Sequence, residues 1–195
     1  MRLITWNCQG AFRKKAEAIL SLKPDVLCLQ EMESPELIKF IQHPIQPTSV
    51  VWSGDGETKT KGLGVLGYDK ALVFALDLHN KSYRNILPVG CQFVDVNFNI
   101  FNVWTKNRNR STPDKRAYID YVIDALPFYS VLGYEKAIFL GDFNADKIIT
   151  GKRFEKAVSL FDNYGLKSAY HQFNKVDFTN EKHPTEYFLR DRSRP

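Results

Sequence analysis

The sequence predicts an α/β or α+β protein whose sheets are covered by helices. Three observations carry that reading. Residues 26–29 and 137–140 are continuously apolar, as expected of strands buried on both faces. Between them lies a strand-rich middle. Helical periodicity marks the regions near both ends. The 195 residues are enough for one domain with a substantial core. Repeats, low-complexity blocks and linkers are missing from the sequence, so residues 1–195 read as a single domain.

The elements follow in order. Residues 3–6 read as a short strand directly after Met1-Arg2, so no signal peptide is expected. Phe12, Ala16, Ile19 and Leu20 share one helical face, and Pro24 closes that helix. Residues 26–29 are the first buried strand. Ser34 offers an N-cap and Pro35 suits the first helical position, with Leu37, Ile38 and Ile41 as the apolar face. Strands are expected at 48–53, 62–67, 71–76, 86–93 and 98–104. The glycines of Gly62-Leu63-Gly64-Val65 suggest a bulge or a close backbone approach. Thr112-Pro113 starts a helix that places Tyr118, Tyr121, Val122 and Ala125 together. Residues 137–140 are the second buried strand. Phe154, Ala157, Val158 and Phe161 make an amphipathic helix, with Gly165 at its C′ position. Tyr187-Phe188-Leu189 is the last expected strand.

Composition narrows the class further. Hydrophobic residues make up 44% and charged residues 25%, which excludes a disordered tail or a fibre. The apolar runs are far shorter than the ~18–20 residues of a membrane span. Three cysteines, Cys8, Cys28 and Cys91, lie in or beside apolar runs. That fits reduced, packed thiols of a cytoplasmic protein better than a disulfide framework. Lys and Arg number 27 against 22 acids, a net charge of +5. The excess is local. Residues 106–116 hold five basic residues and one acid, and residues 190–195 hold three arginines and one aspartate. The tail reads as a frayed end. The 106–116 stretch reads equally as a phosphate footprint or a solvated loop.

Polar groups follow three apolar strands: Asn7, then Gln30-Glu31, then Gly141-Asp142-Phe143-Asn144. Ligand sites of layered α/β proteins lie just beyond strand ends. Carboxylates and carboxamides gathered there suit a hard divalent cation, which takes oxygen ligands, water and substrate phosphate. Glu31 is the better metal ligand. Asp142 is better suited to polarise an attacking water, with Asn144 positioning it. A reading of Asn7, Glu31 and Asp142 as turn or cap residues stays open at this point.

These residues also carry a resemblance. Trp6-Asn7-Cys8-Gln9-Gly10, Leu29-Gln30-Glu31 and Gly141-Asp142-Phe143-Asn144 resemble, in order and interval, the motif series of the endonuclease/exonuclease/phosphatase superfamily. That group includes DNase I-like nucleases, exonuclease III-like apurinic endonucleases, sphingomyelinases and inositol polyphosphate 5-phosphatases. A glycine-containing strand and His183-Pro184-Thr185 join the series, which runs from residue 1 to about residue 189. The resemblance implies an α+β, four-layer αββα sandwich of the DNase I-like type, with the site at one end of two central sheets. It implies that Glu31 binds Mg²⁺ or Mn²⁺ and that Asn7 contacts phosphate or organises the metal shell. Asp142 would activate the water and Asn144 would hold the phosphate or the Asp142 side of the site. The activity implied is metal-dependent hydrolysis of a phosphodiester, with nucleic acid the leading substrate.

The chain departs from the family pattern twice. Trp104 stands where the family has a phosphate-contacting His or Tyr. An indole N–H is a donor only, so Trp104 reads either as a core or as an interface aromatic. Thr105, Lys106 and Arg108 are then the candidate phosphate contacts. The closing Ser-Asp-His motif of the family is missing from the sequence. The expectation is a domain incomplete at its C-terminus, without the last strands of the second sheet. His171 and His183 are not assigned to the missing role; the first reads as a packed or hydrogen-bonded residue and the second as a loop position. The alternative function is a non-catalytic phosphate- or nucleic-acid-binding member, or an inactive fragment.

Overall fold

The computed structural model describes residues 1–40, 45–54, 59–105, 118–145, 147 and 151–183. Eight strands form two four-stranded sheets. The first sheet holds β1 (Leu3–Asn7), β2 (Val26–Gln30), β3 (Ser49–Gly54) and β4 (Gly62–Gly67), in the order β1-β2-β4-β3. The second holds β5 (Ala71–Ala75), β6 (Ile86–Phe93), β7 (Val96–Trp104) and β8 (Ala137–Asp142), in chain order. β1 and β2 pair in parallel, as do β7 and β8; the remaining pairs are antiparallel.

Side-chain alternation sorts the core into three layers. Val26 and Cys28 of β2 face Val89, Cys91 and Ile100 of the second sheet, with Trp104 in the same inter-sheet layer. The alternate residues Leu27 and Leu29 face outward, under α1 (Phe12–Leu20) and α2 (Pro35–Ile38), where Phe12, Ala16, Leu20 and Ile38 are buried. On the far side Phe101 and Val103 of β7 face α3 (Asp120–Tyr129) and α4 (Lys152–Asn163). There Phe101 stacks on Phe139 with ring centroids 4.2 Å apart. The layers therefore run helix, sheet, sheet, helix, which is the α+β, αββα sandwich that the resemblance implies. A short helix, α5 (Ala169–Asn174), follows α4.

Local chemistry explains the element ends. The Ser34 hydroxyl accepts the Glu36 N–H, and Pro35 takes the first helical position. α2 stops after one turn, because Lys39 enters the left-handed region. The wider apolar face expected there shrinks to Ile38, with Leu37 41% exposed; Ile41 lies outside the described residues. Gly165 ends α4 as expected, with its N–H donating to the Asp162 carbonyl at 2.9 Å and the Leu166 N–H to Phe161 at 2.9 Å. The glycine strand β4 resolves as a close approach. A Cβ on Gly64 would sit 2.1 Å from the buried Met32 sulfur, and the ladder on both sides of β4 is continuous.

β8 differs from expectation. The sequence reads as a strand buried on both faces, yet every residue of it is half-buried. Its two faces are covered, by Leu140 packing inward and Phe139 outward. Among the described residues only β7 pairs with it. The helix start at Thr112-Pro113, the strand at 187–189 and both basic stretches lie outside the described residues.

Candidate active site

The parallel pairs β1/β2 and β7/β8 point their C-terminal ends the same way within each sheet, and β1 packs against β8 across the interface. Asn7, Glu31 and Asp142 meet at that end. The Asn7 Nδ2 donates to Asp142 Oδ2 at 2.8 Å and lies 3.3 Å from Glu31 Oε1. One amide thus spans the two sheets and touches both carboxylates. Its oxygen is turned away and accepts the Gln9 N–H at 3.0 Å, closing a turn just after β1. Only that oxygen could ligate a metal. In this arrangement Asn7 acts as a donor that organises the carboxylates.

Backbone bonds fix the loops that carry these groups. The Cys8 N–H donates to Gln30 O at 3.0 Å and the Gly10 N–H to Glu31 O at 3.1 Å, so the exits of β1 and β2 are locked together. Glu31 itself holds φ 58°, a left-handed conformation that costs a side-chain-bearing residue about 1–3 kcal/mol. That geometry sets Glu31 at the crevice, while Gln30 before it stays in the strand.

On the other sheet, Gly141 sits at φ 133° with its Cα against Val103; a Cβ there would be 2.1 Å from the Val103 carbonyl oxygen. This close approach seats Asp142 at the end of β8. The Asn144 N–H donates to Asp142 Oδ1 at 3.2 Å, and the Asn144 side chain donates to the Thr105 carbonyl at 2.8 Å. Asn144 at φ 45° is one of the residue types that tolerates this region. Each oxygen of Asp142 therefore has a donor, and the carboxylate is held in one orientation.

The other residues singled out in the sequence have different surroundings. Gln30 is 1% exposed and turns into the inter-sheet core, donating to Thr5 Oγ1 at 3.0 Å and Asn102 Oδ1 at 2.6 Å. Thr105 lies next to the site but is fully buried, with its hydroxyl donated to the Phe143 carbonyl. It braces the 142–144 loop from behind. Lys106 and Arg108 lie outside the described residues. Trp104 is 6% exposed and packs in the inter-sheet layer as a core aromatic. His171 bonds Ser168 Oγ at 2.7 Å and Glu181 at 2.8 Å and lies on Phe178; His183 bonds the Tyr170 hydroxyl at 3.0 Å.

Two contributors are not visible in the sequence. Lys61, just before β4, donates to Glu31 Oε2. Asn102, buried in β7, donates to the carbonyls of Leu29 at 3.0 Å and Gly64 at 2.9 Å in the opposite sheet. No periodicity or motif marks either, because each depends on which strands face each other.

The donor set fits a hard divalent cation. Two carboxylates converge on one amide, and Mg²⁺ commonly uses one or two carboxylates plus water and phosphate. Among the described residues no group of three or more His, Cys, Asp or Glu side chains forms a ready-made cage. The three cysteines are free and buried. Among the described residues no helix is long and apolar enough to cross a membrane.

A model of the Endonuclease/Exonuclease/phosphatase family matches residues 4–184. No curated protein matches the sequence. Among solved structures, the chain is similar to the endonuclease domain of TRAS1, a telomere-specific non-LTR retrotransposon. That match has 17% identity and a TM-score of 0.59, and covers 87% of this chain and 76% of the other. The 3′-5′ exonuclease NExo from Neisseria meningitidis is similar at 16% identity and TM-score 0.59, over 88% of this chain and 74% of the other. A structure of the 3′ phosphatase NExo from Neisseria bound to product DNA hairpin matches at 15% identity and TM-score 0.52, over 82% and 71%. These likenesses establish the fold.

Proposed function

The chain belongs to the endonuclease/exonuclease/phosphatase family, and from that premise we propose that it hydrolyses phosphodiester bonds with a divalent cation, nucleic acid being the substrate. The observation that carries this reading is the Asn7 bridge between Glu31 and Asp142. It brings a carboxylate from each sheet to one crevice and holds both in place. Support for the substrate comes from NExo, which is seen with a DNA hairpin.

Glu31 would hold Mg²⁺ or Mn²⁺, with water and a phosphate oxygen completing the shell; when bound, the ion neutralises charge on the phosphoryl group. Asp142 accepts a proton from the water that attacks phosphorus. The Asn144 N–H and the Asn7 amide fix the orientation of that carboxylate. Asn7 also keeps Glu31 and Asp142 from swinging apart. Asn144, exposed at the crevice, is the group available to a substrate phosphate. Positioning of this kind supplies much of the rate in phosphoryl transfer.

The test is hydrolysis of bis-p-nitrophenyl phosphate, plasmid DNA and abasic DNA against Mg²⁺ concentration. Asp142→Asn is expected to lower kcat by ~10²–10⁴-fold, and Glu31→Gln to raise the Mg²⁺ requirement. A wild-type protein with no Mg²⁺-dependent turnover on any of the three refutes the proposal.

A second reading has its own observation. Trp104 is packed into the core where the family has a phosphate-contacting side chain. On that reading the protein binds phosphate or nucleic acid without cutting it. DNA binding that weakens steeply with salt, together with no cleavage, selects it.

A further inference from the structure

We propose that Lys61 is an exchangeable counter-ion of the site: it neutralises Glu31 while no divalent cation is bound, and becomes a contact to the substrate phosphate once the cation takes Glu31. This inference rests on the functional reading above and adds a residue to it.

Four observations converge on Lys61. Its ammonium donates to Glu31 Oε2, the oxygen that Asn7 leaves open. The Glu31 side chain is 17% exposed and that of Lys61 51%, so the pair sits at the mouth of the crevice rather than in its floor. The backbone beneath Lys61 is clamped. Met32 N–H donates to Gly62 O at 3.0 Å, and Ser34 N–H to Lys59 O at 2.8 Å, tying this stretch to the exit of β2. Gly62 packs so tightly that a Cβ would lie 2.4 Å from the Ser53 carbonyl. The main chain therefore stays put, and only the flexible lysine stem has room to swing.

Among the described residues, three other cations near the exits of β1 and β2 are committed elsewhere. Lys15 donates to the Cys8 and Gly10 carbonyls at 2.7 and 3.2 Å, Arg13 pairs with Glu33, and Lys59 pairs with Glu36 at 2.5 Å. None of these three is bound to a carboxylate that the proposed cation would use. Among these basic groups, Lys61 is the one released when the cation binds.

The energetics allow the exchange. A half-exposed Lys–Glu pair is weak and leaves Glu31 accessible to a doubly charged ion. A released ammonium next to a dianionic or monoanionic phosphate gains a charge-assisted hydrogen bond. The two anions, Glu31 and phosphate, thus share one lysine in succession.

The experiment measures Mn²⁺ binding by electron paramagnetic resonance, without substrate, on wild type, Lys61→Gln, Lys61→Arg and Glu31→Gln. Inorganic phosphate binding to the Mn²⁺-loaded proteins follows. Lys61→Gln is expected to bind Mn²⁺ about 2- to 5-fold tighter, because nothing competes for Glu31. It is expected to bind phosphate about tenfold more weakly, with Lys61→Arg restoring most of that loss. Unchanged Mn²⁺ affinity in Lys61→Gln overturns the exchange, and unchanged phosphate affinity overturns the phosphate contact. Both leave the Glu31 site intact if Glu31→Gln still loses Mn²⁺. If Glu31→Gln binds Mn²⁺ as wild type does, the metal site itself is refuted and the inference falls with it. Lys61 is surface-exposed, and a thermal melt confirms that each variant is folded.

Discussion

Replacing Asn102 by alanine is the sharpest test of how the two sheets are held in register at the site. Asn102 is fully buried, and its amide makes three bonds: to Leu29 O at 3.0 Å, to Gly64 O at 2.9 Å, and from Gln30 Nε2 at 2.6 Å. Each buried neutral bond contributes about 1 kcal/mol net. Gln30 keeps Thr5 Oγ1 at 3.0 Å, so its donor is not orphaned. The loss is therefore about 3–4 kcal/mol, with some added for the space left behind. For a protein of this size that is roughly a 6–16 °C fall in Tm. Asn102→Asp sharpens the test. It keeps an acceptor for Gln30 but presents an oxygen to two carbonyls, and is expected to destabilise more than alanine. Urea unfolding followed by circular dichroism reads both variants. A loss under about 1 kcal/mol for alanine, or an aspartate variant as stable as the alanine one, would refute the reasoning. Gln30 directly precedes Glu31, so this tether lies one residue from the crevice.

Further predictions can be checked with the same protein. Gly141→Ala forces a Cβ to within 2.1 Å of the Val103 carbonyl oxygen at φ 133°. It should cost more than about 2 kcal/mol in urea unfolding and displace Asp142; an unchanged midpoint contradicts the close approach. Burial holds the His79 imidazole below its ordinary pKa, and among the described residues its buried Nε2 has no hydrogen-bond partner. The folded state therefore favours the neutral ring. The stability it contributes is complete above the usual imidazole pKa and is lost as pH falls through that value toward the folded one. The urea midpoint of wild type should fall relative to that of His79→Gln between about pH 7.5 and about pH 5; parallel profiles contradict this. Burial pushes the Cys8 and Cys91 thiols up to about 11 and raises Cys28 as well. Ellman's reagent at about pH 8 should label none of the three in the folded protein and all three in urea. Rapid labelling of the native state would contradict their burial.

How far the site was legible depended on the kind of signal. Asn7 and Asp142 could be placed because each ends a short apolar run, and the end of a strand is where a side chain can leave the sheet. Glu31 followed for the same reason. Gln30 was grouped with it and proved to belong to the core. An amide next to an apolar run reads as the start of a loop, and only a partner such as Asn102 across the interface makes its burial tolerable. Thr105 shows the same limit. It adjoins the strand end that carries Asp142, but the Phe143 carbonyl claims its hydroxyl from inside.

The sequence by itself determined the secondary structure and that helices cover the sheets; the four-layer order was what the family resemblance implied. Alternation and apolar runs are local properties, since each strand or helix must bury one face whatever its neighbours are. Strand boundaries in the middle of the chain accordingly fall within two residues of expectation, 98–104 against Val96–Trp104 being the widest. What only the tertiary structure decided is which side chains meet. β8 is as apolar in sequence as β2, yet is half-buried because, among the described residues, it pairs on one side only. Lys61 reaches Glu31 because antiparallel pairing sets Leu63 opposite Gln30, which brings the start of β4 to the exit of β2. Asn7 reaches Asp142, 135 positions away, because the sheets stack with β1 against β8. Contacts of that range depend on strand order and register, and those are set by how every layer packs at once.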